Sequence, residues 1–367
     1  MGLTVTPEQY VKQLDFAIRH GFQILTYGAP GVGKTDIVSQ RVKDAKRKLM
    51  VIHPTVMEGV DLKGLGFRVK KKMADGTEID AADFLPYEML LQLIMEEEDC
   101  VVLLDDLGHA REDVQKALLH VIWAREINGR KISPKIIFMA CSNRPKDQAG
   151  VKPLNSALVA RFSTVLTLVP EPKSWCDWAI KTGQPDIMIT FARLYPQYFS
   201  GEFIPEPGEL SNGPRPRTIA ELGKAIKKGL FNELGEDAWS WCEGQIGHNA
   251  SIHLRALKAV ADDMPDPDEV LRKPDTTPLP ESVSGLFLLT GALPHRVQKK
   301  TFHGMVVVAE RLLGGHQIKT MDGLNISYSM AEVAQSMISD SLKKNPDFVQ
   351  LPAYNEWLIK NPHLKRS

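Results

Sequence analysis

Short apolar runs alternate with amphipathic stretches through the first half of the chain. Phe22–Tyr27, Leu49–His53, Cys100–Leu104, Ile136–Ala140 and Thr164–Leu168 read as strands. Cys100–Leu104 and Ile136–Ala140 are apolar throughout, as expected of strands covered on both faces. Between them the period changes. Thr6-Pro7-Glu8 opens a helix with a cap, a proline at the first position and an acid in the first turn, running to His20-Gly21. Its apolar positions are Val11, Leu14, Phe16 and Ile18. Asp36–Val42, Tyr87–Glu97, Ala110–Ala124 and Leu154–Ala160 read as further helices. The Ala110 helix carries Val114, Ala117, Leu118, Val121 and Ile122 along one side. Glu58–Leu85 is mixed and contains a hairpin over Phe67–Lys70 turning at Asp75-Gly76, and Asn128-Gly129 marks a second tight turn. Strands alternating with helices predict a parallel sheet with helices on both faces.

After Val169-Pro170 the pattern becomes helical, and no strand of comparable quality is expected beyond it. Ser174–Lys181, Asp186–Tyr195, Arg217–Leu230, Met305–Leu313 and Met330–Lys344 read as helices, the last two ending at Gly314-Gly315 and Asn345-Pro346. Ser200–Pro216 is rich in Gly and Pro and reads mostly as loop. The expected division is an α/β domain over 1–169, a helical domain over 170–264, a Pro- and Asp-rich linker over 265–280 and a helical region over 281–367.

Composition narrows the function classes. Lys+Arg and Asp+Glu both total 45, so no global charge draws the chain to nucleic acid or to a membrane surface. No apolar run is long enough for a bilayer span and no signal peptide opens the chain, so a cytoplasmic location is expected. The 4 cysteines, Cys100, Cys141, Cys176 and Cys242, lack metal spacing; Cys100 and Cys141 fall in strand runs and read as buried thiols.

The chemistry sits at the ends of the apolar runs. Gly28-Ala29-Pro30-Gly31-Val32-Gly33-Lys34-Thr35 fits G-x-x-x-x-G-K-[ST] between a strand and a helix, the context that makes the pattern a phosphate-binding loop. Glycines let backbone N–H groups face the phosphates; Lys34 would meet the β/γ-phosphates of ATP and Thr35 would hold Mg²⁺. Asp105-Asp106 closes the Cys100 strand. Asp105 would serve the metal, and Asp106 would polarise the attacking water. Asn143 closes the Ile136 strand, where a neutral amide can hydrogen-bond that same water. Arg161 ends the short Leu154 helix, and Pro214-Arg215-Pro216-Arg217-Thr218 opens a helix of the second domain with a rigid, cationic start. Each piece also has a bland reading: a strand-end turn for Asn143, a helix C-terminal cation for Arg161, a surface turn for the Pro214 stretch.

Together these motifs resemble the AAA+ ATPases, and within them the MoxR family, in the branch often paired with von Willebrand A-domain proteins. In that resemblance Gly28–Thr35 is Walker A, Asp105-Asp106 Walker B, Asn143 sensor 1, Arg161 the arginine finger and Arg217 sensor 2. Asp61-Leu-Lys-Gly-Leu-Gly66 with Asp83-Phe-Leu-Pro86, Asn143–Asp147 leading to Ala149-Gly-Val151, Trp175–Ala179, Pro214–Arg217 and Pro352–Trp357 extend it along nearly the whole chain. The resemblance implies an AAA+ P-loop NTPase fold, a parallel sheet sandwiched by helices, followed by an α-helical lid and a helical C-terminal extension.

It also implies a ring, in the family's pattern a hexamer, with ATP between one subunit's α/β domain and its neighbour's Arg161, and with Arg217 supplied by the same chain's lid. Arg125, ending the Ala110 helix, is the rival for the role in trans. Family members remodel or activate a partner protein, here one that could carry a von Willebrand A domain. The Asp61–Leu85 segment would face the pore or the partner, and its Arg68-Val-Lys-Lys-Lys72 run could grip acidic substrate or stand simply as a solvated hairpin. One departure stands out: the family usually has Glu at the position of Asp106, and Asp-Asp-Leu-Gly also resembles the Walker B of helicase loaders. Two other readings therefore stay open, a nucleic-acid-associated loader or switch and an assembly scaffold that uses ATP only to close its ring.

Overall fold

The computed structural model describes residues 3–147, 153–199, 212–319, 325–328 and 330–362. It divides into two units, Met1–Pro170 and Glu171–Ser367.

In the first unit the chain runs β1 (Leu3–Val5), α1 (Pro7–His20), β2 (Ile24–Gly28), α2 (Lys34–Asp44), β3 (Lys48–Ile52), β4 (Leu65–Lys72), β5 (Glu78–Leu85), α3 (Glu88–Met95) and β6 (Cys100–Leu104). It continues through α4 (Glu112–Ala124), the two-residue strands β7 (Glu126–Ile127) and β8 (Arg130–Lys131), then β9 (Ile136–Ser142), α5 (Ser156–Val159) and β10 (Thr164–Leu168). Six strands form one sheet in the order β1-β10-β2-β9-β6-β3, parallel throughout. The expected parallel sheet is therefore present, extended at one edge by β1, which is too short to register as an apolar run.

Side-chain alternation along the strands divides the core into two layers. Val101 and Leu103 of β6, with Ile137 and Met139 of β9, pack with Leu14 and Ile18 of α1 and Val38 and Val42 of α2. On the opposite face Val102 and Leu104, with Ile136 and Phe138, pack with Leu90 and Leu93 of α3 and Val114 and Leu118 of α4. β6 is buried along its whole length, as its unbroken apolar sequence requires.

The helix-entry signals at Thr6 act as expected. Thr6 Oγ1 accepts from Gln9 N (3.4 Å), Gln9 Oε1 accepts from Thr6 N (3.0 Å), and Gly21 closes α1 at φ +79°. The apolar stripe differs from the expected one, since α1 buries Tyr10, Leu14, Ala17 and Ile18 while Phe16 is 55% exposed. Positions 10, 14, 17 and 18 follow the helical period, and Phe16 falls between them; it stacks on Phe22 instead. All four cysteines are free and buried.

The second unit contains α6 (Pro172–Thr182), α7 (Asp186–Leu194), α8 (Pro216–Lys227), α9 (Leu230–Leu234), α10 (Ala238–Ile246), α11 (His248–Asp262) and α12 (Pro267–Arg272). There follow α13 (Val283–Arg296), α14 (Phe302–Leu313), the strands β11 (His316–Lys319) and β12 (Asn325–Tyr328), α15 (Ala331–Lys344) and α16 (Pro352–Lys360). Two apolar cores hold it together. One gathers α6 to α11, the other α12 to α16, and α13 contributes to both, Leu288 to the first and Leu286, Leu289 and Leu293 to the second. Asp340, almost fully buried on α15, is neutralised by Arg193 of α7 and by Lys343, whose ammonium also reaches Asp177 of α6 at 2.5 Å.

Two expectations change here. An antiparallel hairpin, β11 paired with β12, lies in the half where no strand of quality comparable to those of the first unit is expected. His-Gln-Ile-Lys and Asn-Ile-Ser-Tyr carry one aliphatic residue each, so neither gives an alternating signal. Within the stretch expected to be linker, Asp266 caps α12, whose Val270 and Leu271 are buried. The Ser200–Pro216 loop falls largely outside the described residues, as does the Ala149–Val151 piece of the family signature.

Close approach between α12 and α14 depends on Gly304, where an added Cβ would lie 2.1 Å from the Leu271 carbonyl oxygen. Gly304→Ala must push the helices apart and should cost about 1–3 kcal/mol of stability. Denaturant titration measures this, and an unchanged midpoint would contradict the close packing.

Candidate nucleotide site

β2 delivers the chain to residues 29–33, and α2 begins at Lys34. The turn needs left-handed backbone at Gly31 (φ +76°) and Gly33 (φ +98°), which glycine adopts without a steric cost. Gly28 has a different reason to be small: a Cβ there would sit 3.0 Å from the Leu168 carbonyl oxygen and 3.1 Å from Val32 Cγ1. α2 starts at Gly33 with no side-chain cap, so its first-turn N–H groups carry the positive end of the helix dipole toward the loop.

Lys34 is 7% exposed. Its ammonium donates to the carbonyls of Gly28 (2.9 Å) and Ala29 (3.1 Å) and to Asn143 Oδ1 (2.8 Å), which uses all three of its N–H groups. Burial lowers its pKa, and nearby carboxylates, Asp106 and Asp105 among them, oppose that shift. The Asn143 amide then bridges onward, since Nδ2 donates to Asp106 Oδ1 at 3.4 Å. Its oxygen must face Lys34, because an ammonium has nothing to accept with.

Thr35 Oγ1 donates to Asp105 Oδ1 at 2.8 Å, and the same carboxylate oxygen accepts from Asp106 N at 3.1 Å. Five predicted residues from three strand ends, Lys34, Thr35, Asp105, Asp106 and Asn143, thus form one connected set. Asp106 stands at φ +52°, in the left-handed region where Asp and Asn are enriched among non-glycine residues. That backbone gives a local physical reason for aspartate at a position where the family resemblance expects glutamate.

The donor set fits Mg²⁺ with a nucleotide. Thr35 and Asp105 offer two hard oxygens, and Mg²⁺ characteristically takes one or two protein ligands and completes its shell with phosphate and water. Among the described residues no cluster of three or more His, Cys, Asp or Glu side chains forms a self-sufficient metal cage.

The arginines separate by environment. Arg144, directly after Asn143, is clamped by Asp147 through Nε (2.9 Å) and Nη2 (2.6 Å) to Oδ1. Arg125 donates Nη1 to the Ile136 carbonyl (2.9 Å) and Nη2 to the Ser133 carbonyl (2.7 Å), with its Cζ 5.6 Å from the Phe138 ring centre. Arg161 is exposed after α5 and does not join the Lys34 set; its Cζ lies 5.3 Å from the centre of the Trp123 ring. Arg217 is exposed in the first turn of α8, in the second unit. Trp123 has no place among the residues expected from the sequence. Its only signal there is a tryptophan off the apolar stripe of α4.

Residues 23–162 match the family model of the AAA domain, dynein-related subfamily. This stretch is similar to AAA domains. The match runs from Gln23, just before β2, through Phe162, and such domains bind nucleotide. No curated protein matches the chain. Among solved structures, a proposed ATPase from Cytophaga hutchinsonii ATCC 33406 is similar at 17% identity over 66% of this chain and 82% of that one, TM-score 0.35. The RuvB Holliday junction branch migration motor of Thermotoga maritima is similar at 16% identity over 89% and 92% of the two chains, TM-score 0.38. Scores this low carry no argument about what this chain does. No helix among the described residues is long and apolar enough to cross a membrane.

Lys34→Ala removes the buried cation of the Gly28–Thr35 loop and should abolish tight nucleotide binding in calorimetry with the fold retained by circular dichroism. Unchanged affinity would overturn the assignment of the loop.

Proposed function

We propose that this chain is an ATP-hydrolysing AAA+ protein of MoxR type that assembles into a ring, by analogy a hexamer, and remodels or activates a partner protein. The observation that carries the hydrolytic part is the Asn143 amide, which ties the phosphate-loop ammonium to the Asp106 carboxylate. One side chain thereby couples the group that senses phosphate to the group beside the water.

The chemistry follows from the positions. Lys34 and the backbone N–H groups at the start of α2 bind the β/γ-phosphates of ATP. Thr35 and Asp105 would hold Mg²⁺, which neutralises phosphate charge when bound. Asp106 orients the attacking water and accepts its proton as the oxygen bonds to the γ-phosphorus and the bond to the β-phosphate oxygen breaks. Asn143 holds Asp106 in register and adds a neutral hydrogen-bonding group beside the water. Arg161 stabilises transition-state charge on a neighbouring subunit's nucleotide, and Arg217 serves its own subunit from the lid. The environments support Arg161 over Arg125, whose two terminal nitrogens are already committed to carbonyls of its own chain.

The partner-directed part rests on resemblance and on the β4–β5 hairpin. Arg68 pairs with Asp80 and Lys70 lies 3.7 Å from Glu78 across the strands, so its basic run is partly neutralised. Leu65, Ile79 and Leu85 on the alternate face are exposed. A protein surface suits that composition better than a phosphate backbone, which binds through unpaired cations.

Asp106→Asn should keep ATP bound and stop hydrolysis; wild-type turnover in that variant would place the base elsewhere. Asp106→Glu gains a methylene of reach but loses the residue suited to the left-handed backbone, so turnover should not exceed wild type in a steady-state assay. Arg161→Ala should bind ATP nearly normally and lose about 10³–10⁵-fold in hydrolysis if the guanidinium works in trans. Mixing it with Lys34→Ala should restore partial activity, because some interfaces then pair an intact pocket with an intact arginine. No recovery after confirmed subunit exchange would count against action in trans. Sub-micromolar, steeply salt-dependent DNA binding would replace the remodelling reading with a nucleic-acid one.

A further inference from the structure

Trp123 is 63% exposed, although its neighbours Val121 and Ile122 are buried in the core. Its ring has one evident use. The guanidinium carbon of Arg161 lies 5.3 Å from the ring centre, within the range of a cation–π contact. The two residues are 38 positions apart, and the structure fixes the backbone that brings them together. Gln115 of α4, itself buried, accepts from Asn155 N at 3.1 Å and donates to the Ala110 carbonyl at 3.1 Å. Asn155 caps α5 through Ala157 N at 2.8 Å, and Arg161 follows the helix's C-terminal cap, Ala160. α4 therefore anchors the start of α5 with Gln115 and meets the arginine after its end with Trp123.

The kind of contact is informative. Arg144 is met by a carboxylate, and Arg125, although also over the Phe138 ring, has both terminal nitrogens on carbonyls. Among the described residues no ion pair of Arg161 is found. A carboxylate would hold the side chain equally well, but it would neutralise the charge and occupy the N–H edge. An aromatic face holds the flat side of the guanidinium and leaves charge and edge free. Arg125, two residues beyond Trp123, turns inward and leaves the ring to Arg161.

We propose that Trp123 is a positioning residue, which holds the Arg161 guanidinium outward so that its N–H edge meets the γ-phosphate bound by a second copy of this chain. The proposal rests on the reading of Arg161 as the arginine that acts in trans. Its effect is to limit the rotamers of a long side chain before the subunits meet, so less conformational freedom is lost when they do.

The test compares Trp123→Leu, which keeps an apolar side chain, with Trp123→Phe, which keeps a π-face, each in the otherwise wild-type chain and in Arg161→Ala. Steady-state ATPase is measured with assembly followed by sedimentation. Trp123→Leu should lower kcat about 2- to 30-fold, the range from an exposed to a desolvated cation–π contact, with the KM for ATP little changed. Trp123→Phe should recover most of that loss, and neither substitution should have further effect in Arg161→Ala. Equal losses in both backgrounds, a phenylalanine no better than leucine, or a loss that vanishes at concentrations restoring assembly would overturn the proposal. Should the leucine variant not fold, Trp123→Gln, suited to an exposed helical site, takes its place.

Failure of the underlying reading looks different. If Arg161→Ala keeps wild-type kcat, Arg161 is not the catalytic arginine and the proposal falls with it. If Arg161→Ala loses activity while Trp123→Leu does not, only the positioning role is removed.

Discussion

A buried ammonium is the constraint on which the first unit depends. Taking a lysine head group out of water costs several kcal/mol unless hydrogen bonds replace its hydration. Lys34 meets that requirement with two carbonyls of its own loop and one amide from another strand. The loop must therefore hold the shape that aims both carbonyls inward, and β9 must end where Asn143 can reach. The two glycines at positive φ, the absence of a side chain at Gly28 and the alignment of β2 with β9 all serve this one charge.

Much of this was legible in the sequence, for physical reasons. The apolar runs at Cys100 and Ile136 can be stable only as strands covered on both faces, so the parallel sheet and its polar strand ends follow from patterning. Lys34, Thr35, Asp105, Asp106 and Asn143 all lie within a few residues of such an end, and the structure joins them. What escaped had weak or ambiguous local signals. β1 is three residues long, β11 and β12 carry one aliphatic residue each, and α12 hides in a stretch whose prolines and aspartates are also helix-start residues. Phe16 is apolar yet lies off the buried stripe of α1, because helical phase rather than apolarity governs burial.

The arginines show a different limit. Arg125, Arg144 and Arg161 each follow a regular element near the sheet, and sequence treats them almost alike. Their surroundings separate them: carbonyls beside a ring for the first, a carboxylate for the second, a ring with no ion pair among the described residues for the third. Those surroundings come from residues 3 positions away for Arg144 but 8 to 38 positions away for the other two. The left-handed backbone at Asp106 is similar, since sequence identifies the departure from glutamate but only the turn geometry supplies a reason for aspartate.

Strand register has a consequence for how such a site tolerates change. Leu104 of β6 lies opposite Ala140 of β9 and Ile52 of β3, and Asp105 N still bonds to the Ile52 carbonyl at 2.9 Å. A slip of one residue would displace the carboxylates by about 3.3 Å and turn every side chain of β6 to the wrong face. Such a slip would trade Val102 and Leu104 for Val101 and Leu103 across two well-packed layers, so the core itself resists it. The apolar interior therefore works as a ruler for the polar edge. Substitutions deep in β6 or β9 that leave both acids and the asparagine untouched can still set the site out of alignment, whereas the exposed hairpin is free to diverge without disturbing it.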